Sequence, residues 1–351
     1  MGLVVSILVL SFLIFFHELG HFLAARFFKV KVEVFSIGFG KAIVKKQWGE
    51  TEYRIAAIPL GGYVKMKGQD DTDPLGRSGD ADAYDTKPPW QRMVILAAGP
   101  FANFLLAFIL FTWVAIGGMN ALSPTIGSVM ENSPAAQAGL ETGDRVVEIG
   151  GVPIRSWDAI SKHIQNGSER IELLIDRDRR GVRVVIEPQM MEGQNIFGES
   201  EQRRMIGISP SGETVLLTHG PIEALAVGWE KTLWASTLIF QSVIKLVSGV
   251  ISPDNVGGVI SIVQFTSEAS SVGFMALLMF TALISVNLGV LNLLPIPALD
   301  GGHLLFTLYE QIRGKPPAEK VFYHMTVIGW GVLLSLMMLG LYNDINRLTN
   351  G

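Results

Sequence analysis

The sequence has no cysteine and few charged residues. Without cysteine the chain cannot form disulfides, bind zinc through sulfur or use a catalytic thiol. Charged residues make up 17% of the chain and hydrophobic residues 49%, whereas about a quarter of the residues in soluble domains are charged. The net charge is −4, and no lysine- and arginine-rich stripe is interleaved with aromatics. The composition argues against a wholly soluble enzyme and against a nucleic-acid partner, and any metal must bind histidine and carboxylates.

The hydrophobic residues are concentrated in five long runs. The first, Leu3 to Ala25, is almost uninterruptedly apolar apart from His17, Glu18 and His21, and a helix of this length crosses the ~30 Å hydrocarbon core of a bilayer. The other runs lie at residues 93–118, 232–251, 274–299 and 325–341. A cleavable signal peptide is the alternative for the first run, but no basic segment precedes it and no small-residue cleavage site follows it.

Lysine and arginine near the ends of the runs set the orientation. They cluster at residues 26–46 and 87–92, so the segment between the first two runs is predicted to be cytoplasmic. The chain then lies outside from about residue 119, and the basic loop at 313–320 returns to the cytoplasm, which requires an even number of spans. Charged residues at the start and centre of run 232–251 favour an amphipathic helix in the outer interface. We therefore predict four spans.

The first run contains the pattern His17-Glu18-Leu-Gly-His21. Two histidines four residues apart lie on one face of a helix, so both can reach one tetrahedral zinc ion. Glu18 could then take a proton from zinc-activated water and deliver it to the departing amine. Ionisable groups inside a membrane helix are costly and persist mainly for function. The alternative is that these polar residues only bond a neighbouring helix.

A catalytic zinc requires a third protein ligand, for which Asp300 is the best candidate. Asp300 follows a proline-containing segment at the end of a hydrophobic run, where a broken helix can line a cavity. With four spans it lies at the depth of His17 and His21. His303 is a rival ligand or a hydrogen-bonding support. We assign no role to the remaining histidines, His163, His219 and His324.

These motifs together resemble the site-2 protease family, and the bacterial RseP type fits best. The resemblance covers nearly the whole chain and includes four further segments: Gly38-Phe39-Gly40, Pro59 to Tyr63, Asn292-Leu-Leu-Pro and Leu299-Asp300-Gly301. It implies intramembrane proteolysis with a single zinc ion per chain. It also implies that His17, His21 and Asp300 bind the zinc, that Glu18 is the catalytic base and that Asn292 helps to hold the substrate backbone.

Residues 30–66 are predicted to form three or four short strands beside the zinc motif. The family has a membrane-dipping β-loop here, and an exposed strand edge could hold a substrate in extended form. Gly38 and Gly40 would permit the tight turn, and residues 55–65 would supply the edge. An ordinary cytoplasmic sheet is the alternative, and residues 70–85 are predicted to be a solvated loop. The substrate-binding residues expected in this region are Gly38, Phe39, Gly40, Gly61 and Gly62.

Residues 122–210 indicate a small α+β domain that resembles a PDZ domain. Ser133 is predicted to begin a short helix that Gly139 ends, and residues 157–164 to form a second helix. A PDZ domain binds a peptide as an added strand and often captures its terminal carboxylate. A steric filter that binds no peptide is an equally weighted alternative. The expected carboxylate loop consists of Ser123, Pro124, Thr125, Ile126 and Gly127.

The predicted fold class is a polytopic α-helical membrane protein with four transmembrane helices, a membrane-associated β-sheet and an inserted α+β PDZ domain. The predicted organisation is a transmembrane helix with the zinc motif (1–28), a cytoplasmic or membrane-dipping β-region (29–91), a second helix (92–118), a periplasmic PDZ domain (119–212), a periplasmic amphipathic region (213–272), a third helix (273–310), a cytoplasmic loop (311–324), a fourth helix (325–342) and a tail (343–351).

The expected function is zinc-dependent cleavage of transmembrane segments, as in regulated intramembrane proteolysis of anti-sigma factors or remnant signal peptides. The expected location is the bacterial inner membrane, with the active site toward the cytoplasm. Expected partners are single-span membrane proteins, the lipid bilayer and a peptide C-terminus at the PDZ domain. One alternative is a catalytically silent PDZ-containing membrane adaptor, although such a protein needs no buried ionisable groups. Another is a zinc transporter, for which several sites along a path would be expected.

Overall fold

A computed structural model describes residues 2–69 and 78–350. The chain divides into two compact units, of which unit 1 comprises the residues up to Val114 and from Pro221 onward, and unit 2 comprises Ala115–Gly220. Half of the loop predicted at 70–85, residues 70–77, lies outside the described residues.

The helices and strands follow one another along the chain. They are α1 (Gly2–Phe27), β1 (Val32–Trp48), β2 (Thr51–Met66), α2 (Pro89–Gly117), β3 (Met119–Leu122), β4 (Ile126–Val129), α3 (Pro134–Gln137), β5 (Arg145–Ile149), β6 (Val152–Pro153), α4 (Trp157–Asn166), β7 (Ile171–Arg177), β8 (Arg180–Ile186), β9 (Gln189–Gln194), β10 (Ser200–Met205), β11 (Ile208–Pro210), β12 (Thr214–Leu217), α5 (Pro221–Val247), α6 (Val259–Val272), α7 (Phe274–Leu293), α8 (Asp300–Arg313) and α9 (Glu319–Asn350).

Four helices in the described part of the chain are long and apolar enough to cross a membrane, namely α1, α2, α7 and α9. The predicted number of candidate spans is therefore confirmed. Two boundaries differ from the prediction. The third helix ends at Leu293, because Pro295 and Pro297 lack the backbone N–H that would continue it. Helix α9 begins at Glu319 and continues through the predicted tail, which contains no proline or glycine before residue 351 to end it.

Helices α2 and α6 both run opposite to α1. Helices α1 and α2 are antiparallel, since His21 lies beside Ile95, whereas His17, one turn earlier in α1, lies beside Asn103, two turns later in α2. Helix α6 is antiparallel to α1, because its residue Ser267 meets Gly2 and its residue Val263 meets Ser6. Helix α7 reverses direction again after Gly273. Thus the start of α1 and the start of α7 lie at the same end of the bundle, which we call the Phe274 end.

Helix α5 stays near the Phe274 end. Its residue Gly228 packs so closely on α2 that a Cβ there would lie 2.2 Å from the Thr112 hydroxyl oxygen. The loop that follows α5 contacts the last turns of α9, where the Asn343 amide nitrogen donates to the carbonyl oxygens of Pro253 and Val256 at 2.8 and 2.9 Å. Both contacts lie beyond the middle of helices that run toward this end. The first turns of α5 and the loop that follows it therefore both lie on the side of the bundle nearer the Phe274 end.

The start of α6 is held by α9. The Asp344 carboxylate accepts hydrogen bonds from the backbone N–H groups of Gly258, Ile260 and Ser261 at 3.0, 2.9 and 3.1 Å. These donors belong to the first turn of α6, whose N–H groups have no partner within the helix. A carboxylate also interacts favourably with the positive end of the helix dipole. Asp344 therefore caps α6 from a distant part of the chain.

Strands β1 and β2 form one antiparallel sheet in which each strand is used twice. Phe35 pairs with Val64 on one side and with Tyr53 on the other, and Tyr53 pairs in turn with Lys46. The sheet consequently has four strand segments, in the order 62–66, 32–37, 51–56 and 42–48. The change of direction in β1 occurs where Gly38 and Gly40 have φ angles of 91° and 84°, which side-chain-bearing residues rarely adopt.

Unit 2 has its own hydrophobic core and follows the predicted order of short elements. An antiparallel sheet in the order β6-β5-β7-β8 packs against α4 through Ile160 and Ile164. The hydroxyl oxygen of Ser133 accepts from the Ala136 backbone N–H at 3.2 Å and so begins α3, as predicted. Burial raises the pKa of the Asp144 carboxyl, but hydrogen bonds from Arg177 and the Glu141 backbone N–H outweigh this effect and hold its pKa below the ordinary value.

Candidate metal centre

His17 and His21 project from the same face of α1 toward the interior of unit 1. Their Nε2 atoms lie 3.2 Å apart, and both side chains are largely buried. The other nitrogen of His21, Nδ1, lies 2.8 Å from the backbone carbonyl oxygen of Ile95. A carbonyl can only accept a hydrogen bond, so Nδ1 carries the proton and the lone pair of Nε2 is free to bind a metal.

Asp300 is the first residue of α8 and brings a carboxylate to the two histidines. Its Oδ2 lies 3.2 Å from Nε2 of His17 and 3.4 Å from Nε2 of His21. The chain can return so closely after α7 because glycines follow Asp300. A Cβ at Gly301 would lie 2.2 Å from the carbonyl oxygen of Leu294, which explains why two glycines stand at this position.

The three side chains fit a zinc ion. Ligand atoms held about 2.0–2.1 Å from a tetrahedral zinc lie roughly 3.3 Å from one another, and the three distances between the Nε2 and Oδ2 atoms are 3.2, 3.2 and 3.4 Å. The Oδ2 atom of Asp300 is buried and has no hydrogen-bond partner among the described residues. A buried carboxylate oxygen without a partner is costly, and a bound cation would satisfy it.

Glu18 lies beside this cluster but is not part of it. His17, His21 and Asp300 supply the ligand atoms that lie within 4.8 Å of one another. The Glu18 side chain is buried and directed toward the backbone N–H of Val64 in β2. Gly62 makes this approach possible, because a Cβ there would lie 3.0 Å from the Glu18 Cγ atom. The carboxylate is therefore placed between the cluster and the outer segment of the β-sheet.

A cavity of about 370 Å³ opens beside the cluster. It brings together most of the residues predicted to bind substrate, although Gly38 and Gly40 do not line it. His303 also lines the cavity, but its ring packs against the rings of Phe306 and Phe322 and does not join the cluster of ligand atoms. The predicted residues that line the cavity are His17, Glu18, Phe39, Gly61, Gly62, Asn292 and Asp300.

The other three histidines lie away from the cluster. The Nδ1 atoms of His163 and His324 lie 2.8 and 2.5 Å from the backbone carbonyl oxygens of Ala159 and Lys320. His219 follows β12 in unit 2. None of the three belongs to the metal-binding group found among the described residues.

The predicted carboxylate loop of unit 2 is paired within the unit itself. Ile126 is fully buried in the core, and a Cβ at Gly127 would lie 2.3 Å from the carbonyl oxygen of Pro210. A groove of about 230 Å³ lies elsewhere, between α4 and the segment 203–208, and residues 123–127 do not line it. Gly207 lines this groove between two isoleucines and has a φ angle of 81°, which favours glycine.

Sequence reasoning missed the contribution of α2 to the site. Asn103 is fully buried, and its side-chain amide lies 3.1 Å from Nδ1 of His17. Gly99 leaves room for His21, because a Cβ at this position would lie 2.1 Å from the His21 Nε2 atom. A lone asparagine and a lone glycine in a hydrophobic run have no diagnostic spacing, so only the packing of α2 on α1 reveals them.

Comparison with known proteins gives a consistent result. The family model described as Peptidase family M50 matches residues 5–336. A Campylobacter jejuni protein named as a candidate zinc metalloprotease is 45% identical over 343 residues, which are 98% of this chain and 93% of that protein. A similarly named Helicobacter pylori protein (strain J99) is 37% identical, with 98% and 99% covered. Regulator of sigma-W protease RasP of Bacillus subtilis is 29% identical, with 97% of each chain covered.

Proposed function

The chain belongs to peptidase family M50, the site-2 proteases, and from this premise we propose that it cleaves the membrane-spanning segments of other proteins. Members of the family are zinc metalloproteases, and this chain is a multi-pass membrane protein with four candidate spans. One observation carries the proposal. His17, His21 and Asp300 converge beside Glu18 within a bundle of apolar helices, where buried ionisable groups are otherwise costly.

In the proposed site, His17, His21 and Asp300 hold a single zinc ion and Glu18 transfers protons. When bound, zinc supplies Lewis acidity that activates water and polarises a carbonyl group. The Glu18 carboxylate accepts a proton from the water whose oxygen forms the new bond to the scissile carbonyl carbon. It then delivers that proton to the nitrogen of the departing amine as the C–N bond breaks. His17 and His21 would hold the zinc ion from α1, and Asp300 would hold it from α8.

We propose that the segment 62–66 holds the substrate in extended form. A transmembrane helix hides its peptide groups in its own hydrogen bonds, so it must unwind before cleavage. Segment 62–66 lies at one edge of the sheet and passes Glu18 at Val64, so its main chain could pair with an unwound substrate. The sequence predicted a substrate-pairing edge at residues 55–65. Residues 51–56 pair with a strand segment on each side, so we restrict the proposed edge to residues 62–66. Asn292 lines the same cavity and is assigned to the substrate backbone.

We base the proposed membrane location and domain assignment on the resemblance to the same family. We assign the chain to the RseP type, in the bacterial inner membrane, with a membrane-associated β-sheet and the zinc site toward the cytoplasm. Residues 119–212 are assigned to one periplasmic PDZ domain and residues 213–272 to a periplasmic amphipathic region. The basic segments near the candidate spans support this orientation. Residues 1–28 and 92–118 are proposed as the first two transmembrane segments, and residues 29–91 as the β-region between them. The third and fourth transmembrane segments are proposed at α7 and α9.

We propose that unit 2 selects substrates. The groove between α4 and segment 203–208 has a strand-like rim beside a helix, which is the setting in which a PDZ domain accepts a peptide C-terminus. A steric filter without peptide binding is the alternative role for unit 2. The substrates are proposed to be single-span proteins, such as anti-sigma factors or remnant signal peptides, since one relative is named as a regulator of sigma-W.

The test is cleavage of a labelled single-span substrate by purified full-length protein in detergent. Wild type, wild type with a zinc chelator and Glu18→Gln are compared, and zinc is measured in each preparation. We expect cleavage by untreated wild type alone, and we expect Glu18→Gln to keep its zinc because Glu18 is assigned to proton transfer.

Two results would contradict these assignments. Zinc loss in Glu18→Gln would make Glu18 a ligand. A folded, zinc-loaded wild type that cleaves none of several substrates, including substrates already shortened outside the membrane, would favour the silent adaptor.

A further inference from the structure

We propose that Asn103 is a positioning residue that holds the His17 imidazole in the tautomer able to bind zinc. The inference rests on the proposed function and deepens it, because it assigns a role to a residue outside the proposed ligands. It follows from the surroundings of the Asn103 side chain and from the chemistry of a neutral imidazole.

Asn103 is fixed within the bundle. It lies in α2 with no exposed surface, and its side-chain amide is 3.1 Å from Nδ1 of His17 in α1. The hydroxyl of Ser285 in α7, which is also fully buried, donates to the Asn103 backbone carbonyl oxygen at 2.7 Å. Three helices thus meet at Asn103, and its side-chain amide faces His17 of the metal centre.

The need for an acceptor comes from His17 itself. A neutral imidazole carries one N–H group and one lone pair, and a metal binds the lone pair. Nε2 of His17 faces Nε2 of His21 and Oδ2 of Asp300, so Nε2 must provide the lone pair and Nδ1 must carry the proton. The N–H group at Nδ1 then requires an acceptor. An amide oxygen can fill this role, whereas an amide nitrogen can only donate.

The Asn103 amide can supply either group. Its nitrogen faces His17, while its Oδ1 is buried without a hydrogen-bond partner among the described residues. A half-turn about the Cβ–Cγ bond exchanges the two atoms, which occupy nearly the same space. With the nitrogen toward His17, Nδ1 accepts its hydrogen bond and the imidazole proton lies on Nε2, where it occupies the position that a metal would need. With the oxygen toward His17, Nε2 is free for zinc.

The two histidines are therefore oriented by α2 in different ways. Nδ1 of His21 faces a backbone carbonyl oxygen, which cannot change its role. Nδ1 of His17 faces the Asn103 side chain, which can present either its nitrogen or its oxygen. Whether Nδ1 has a hydrogen-bond acceptor therefore depends on the residue at position 103. A carboxylate at that position would keep an acceptor and lose the donor, whereas an aliphatic side chain would lose both.

This difference defines the experiment. Zinc affinity is measured by chelator competition on the purified full-length protein for wild type, Asn103→Asp, Asn103→Leu and the control Thr112→Val. Thr112 is also in α2, and its hydroxyl donates to the carbonyl oxygen of Phe108 in its own helix. We expect Asn103→Leu to bind zinc about 10- to 100-fold more weakly, as for other partners of metal-bound histidines. We expect Asn103→Asp and Thr112→Val to bind within about threefold of wild type.

Several outcomes would overturn the proposal. An equal loss of zinc affinity in Asn103→Asp and Asn103→Leu would show that the amide donates to His17. Wild-type zinc affinity in Asn103→Leu would show that zinc binding requires neither a donor nor an acceptor at position 103. If Asn103→Leu lowers only the unfolding temperature of the zinc-free protein, the role is structural.

A second measurement uses the wild-type protein alone. In ¹⁵N-histidine NMR spectra of zinc-loaded wild type, a His17 Nδ1 without a proton would exclude the proposal. A wild type that binds no zinc would remove both this proposal and the proposed function, whereas unaffected variants of a zinc-binding protease would remove this proposal alone.

Discussion

Asp300 and His303 are one helical turn apart in α8, and the structure separates their surroundings. Asp300 directs an oxygen at both histidines of α1. The His303 ring lines the same cavity but packs against Phe306 and Phe322. The sequence alone left both residues as possible third ligands, because it does not say how the chain bends after Pro297. The contacts favour Asp300.

Substitution of these two residues tests the assignment. Asp300→Asn removes the charge and one oxygen while keeping the size, and we expect zinc affinity to fall at least about tenfold. His303→Phe keeps an aromatic ring against its neighbours but removes both nitrogens, and we expect zinc affinity close to that of wild type. Chelator competition with metal analysis measures both. A loss in His303→Phe with none in Asp300→Asn would transfer the ligand role to His303.

At the scale of single residues, the sequence predicted a site best when its residues lie close together in the chain. His17, Glu18 and His21 share one helix, so their spacing alone predicts one site. Asp300 required a topological argument about which helix ends meet. Asn103 gave no signal, since its role depends on the rotation of α2 against α1, which is set by packing.

At the scale of secondary structure elements, the metal centre depends on close contact between α1 and α2. A Cβ at Gly20 would lie 2.2 Å from the carbonyl oxygen of Ala98, and a Cβ at Gly99 would overlap the His21 ring. The two glycines allow the helix backbones to approach without intervening side chains. Small residues serve this purpose generally where helices associate in membranes.

We expect Gly99→Ala to displace His21 and to lower both zinc affinity and cleavage, although alanine favours helix formation by about 1 kcal/mol. Gly331→Ala is the matched control, because Gly331 is also helical and has no atom within 4 Å of a Cβ at that position. Zinc competition and substrate cleavage are measured for both variants. Equal behaviour of the two would mean that space at Gly99 does not position His21.

The β-sheet shows what an alternating pattern can and cannot predict. Residues 30–66 were expected to contain three or four short strands, and four segments are present within two long bent strands. The sequence pattern did not identify which segment is at the edge. Ile55 pairs with both Ile37 and Val44, and so lies inside the sheet rather than at the predicted free edge. Strand order depends on long-range pairing and not on local periodicity.

At the scale of the whole molecule, the candidate spans were predicted by length and hydrophobicity, whereas the details of unit 2 were not. Residues 122–210 contain the expected strands and two short helices. The predicted carboxylate loop at 123–127 instead pairs within the unit, and the groove lies between α4 and segment 203–208. Local turn signals predict elements well, but a groove depends on which elements become neighbours.

The proposed orientation can be tested by labelling, since the chain has no natural cysteine. Ser252 follows α5 and is exposed, and Lys315 follows α8. In spheroplasts treated with a membrane-impermeant maleimide, we expect Ser252→Cys to react at once. We expect Lys315→Cys to react only after the membrane is opened. Protection of Ser252→Cys from the outside reagent would mean that α5 crosses the membrane, and the four-span arrangement would be wrong.

The cap that Asp344 places on α6 also has a consequence for biosynthesis. Gly258 leaves the ribosome 86 residues before Asp344. During synthesis the first turn of α6 is therefore made before the Asp344 carboxylate that caps it. Until α9 arrives, these N–H groups must be satisfied by water or by lipid headgroups. Since α6 packs on α1, which bears the zinc motif, the support for that helix is completed late in translation. A nascent chain therefore carries the zinc motif well before its surroundings are finished.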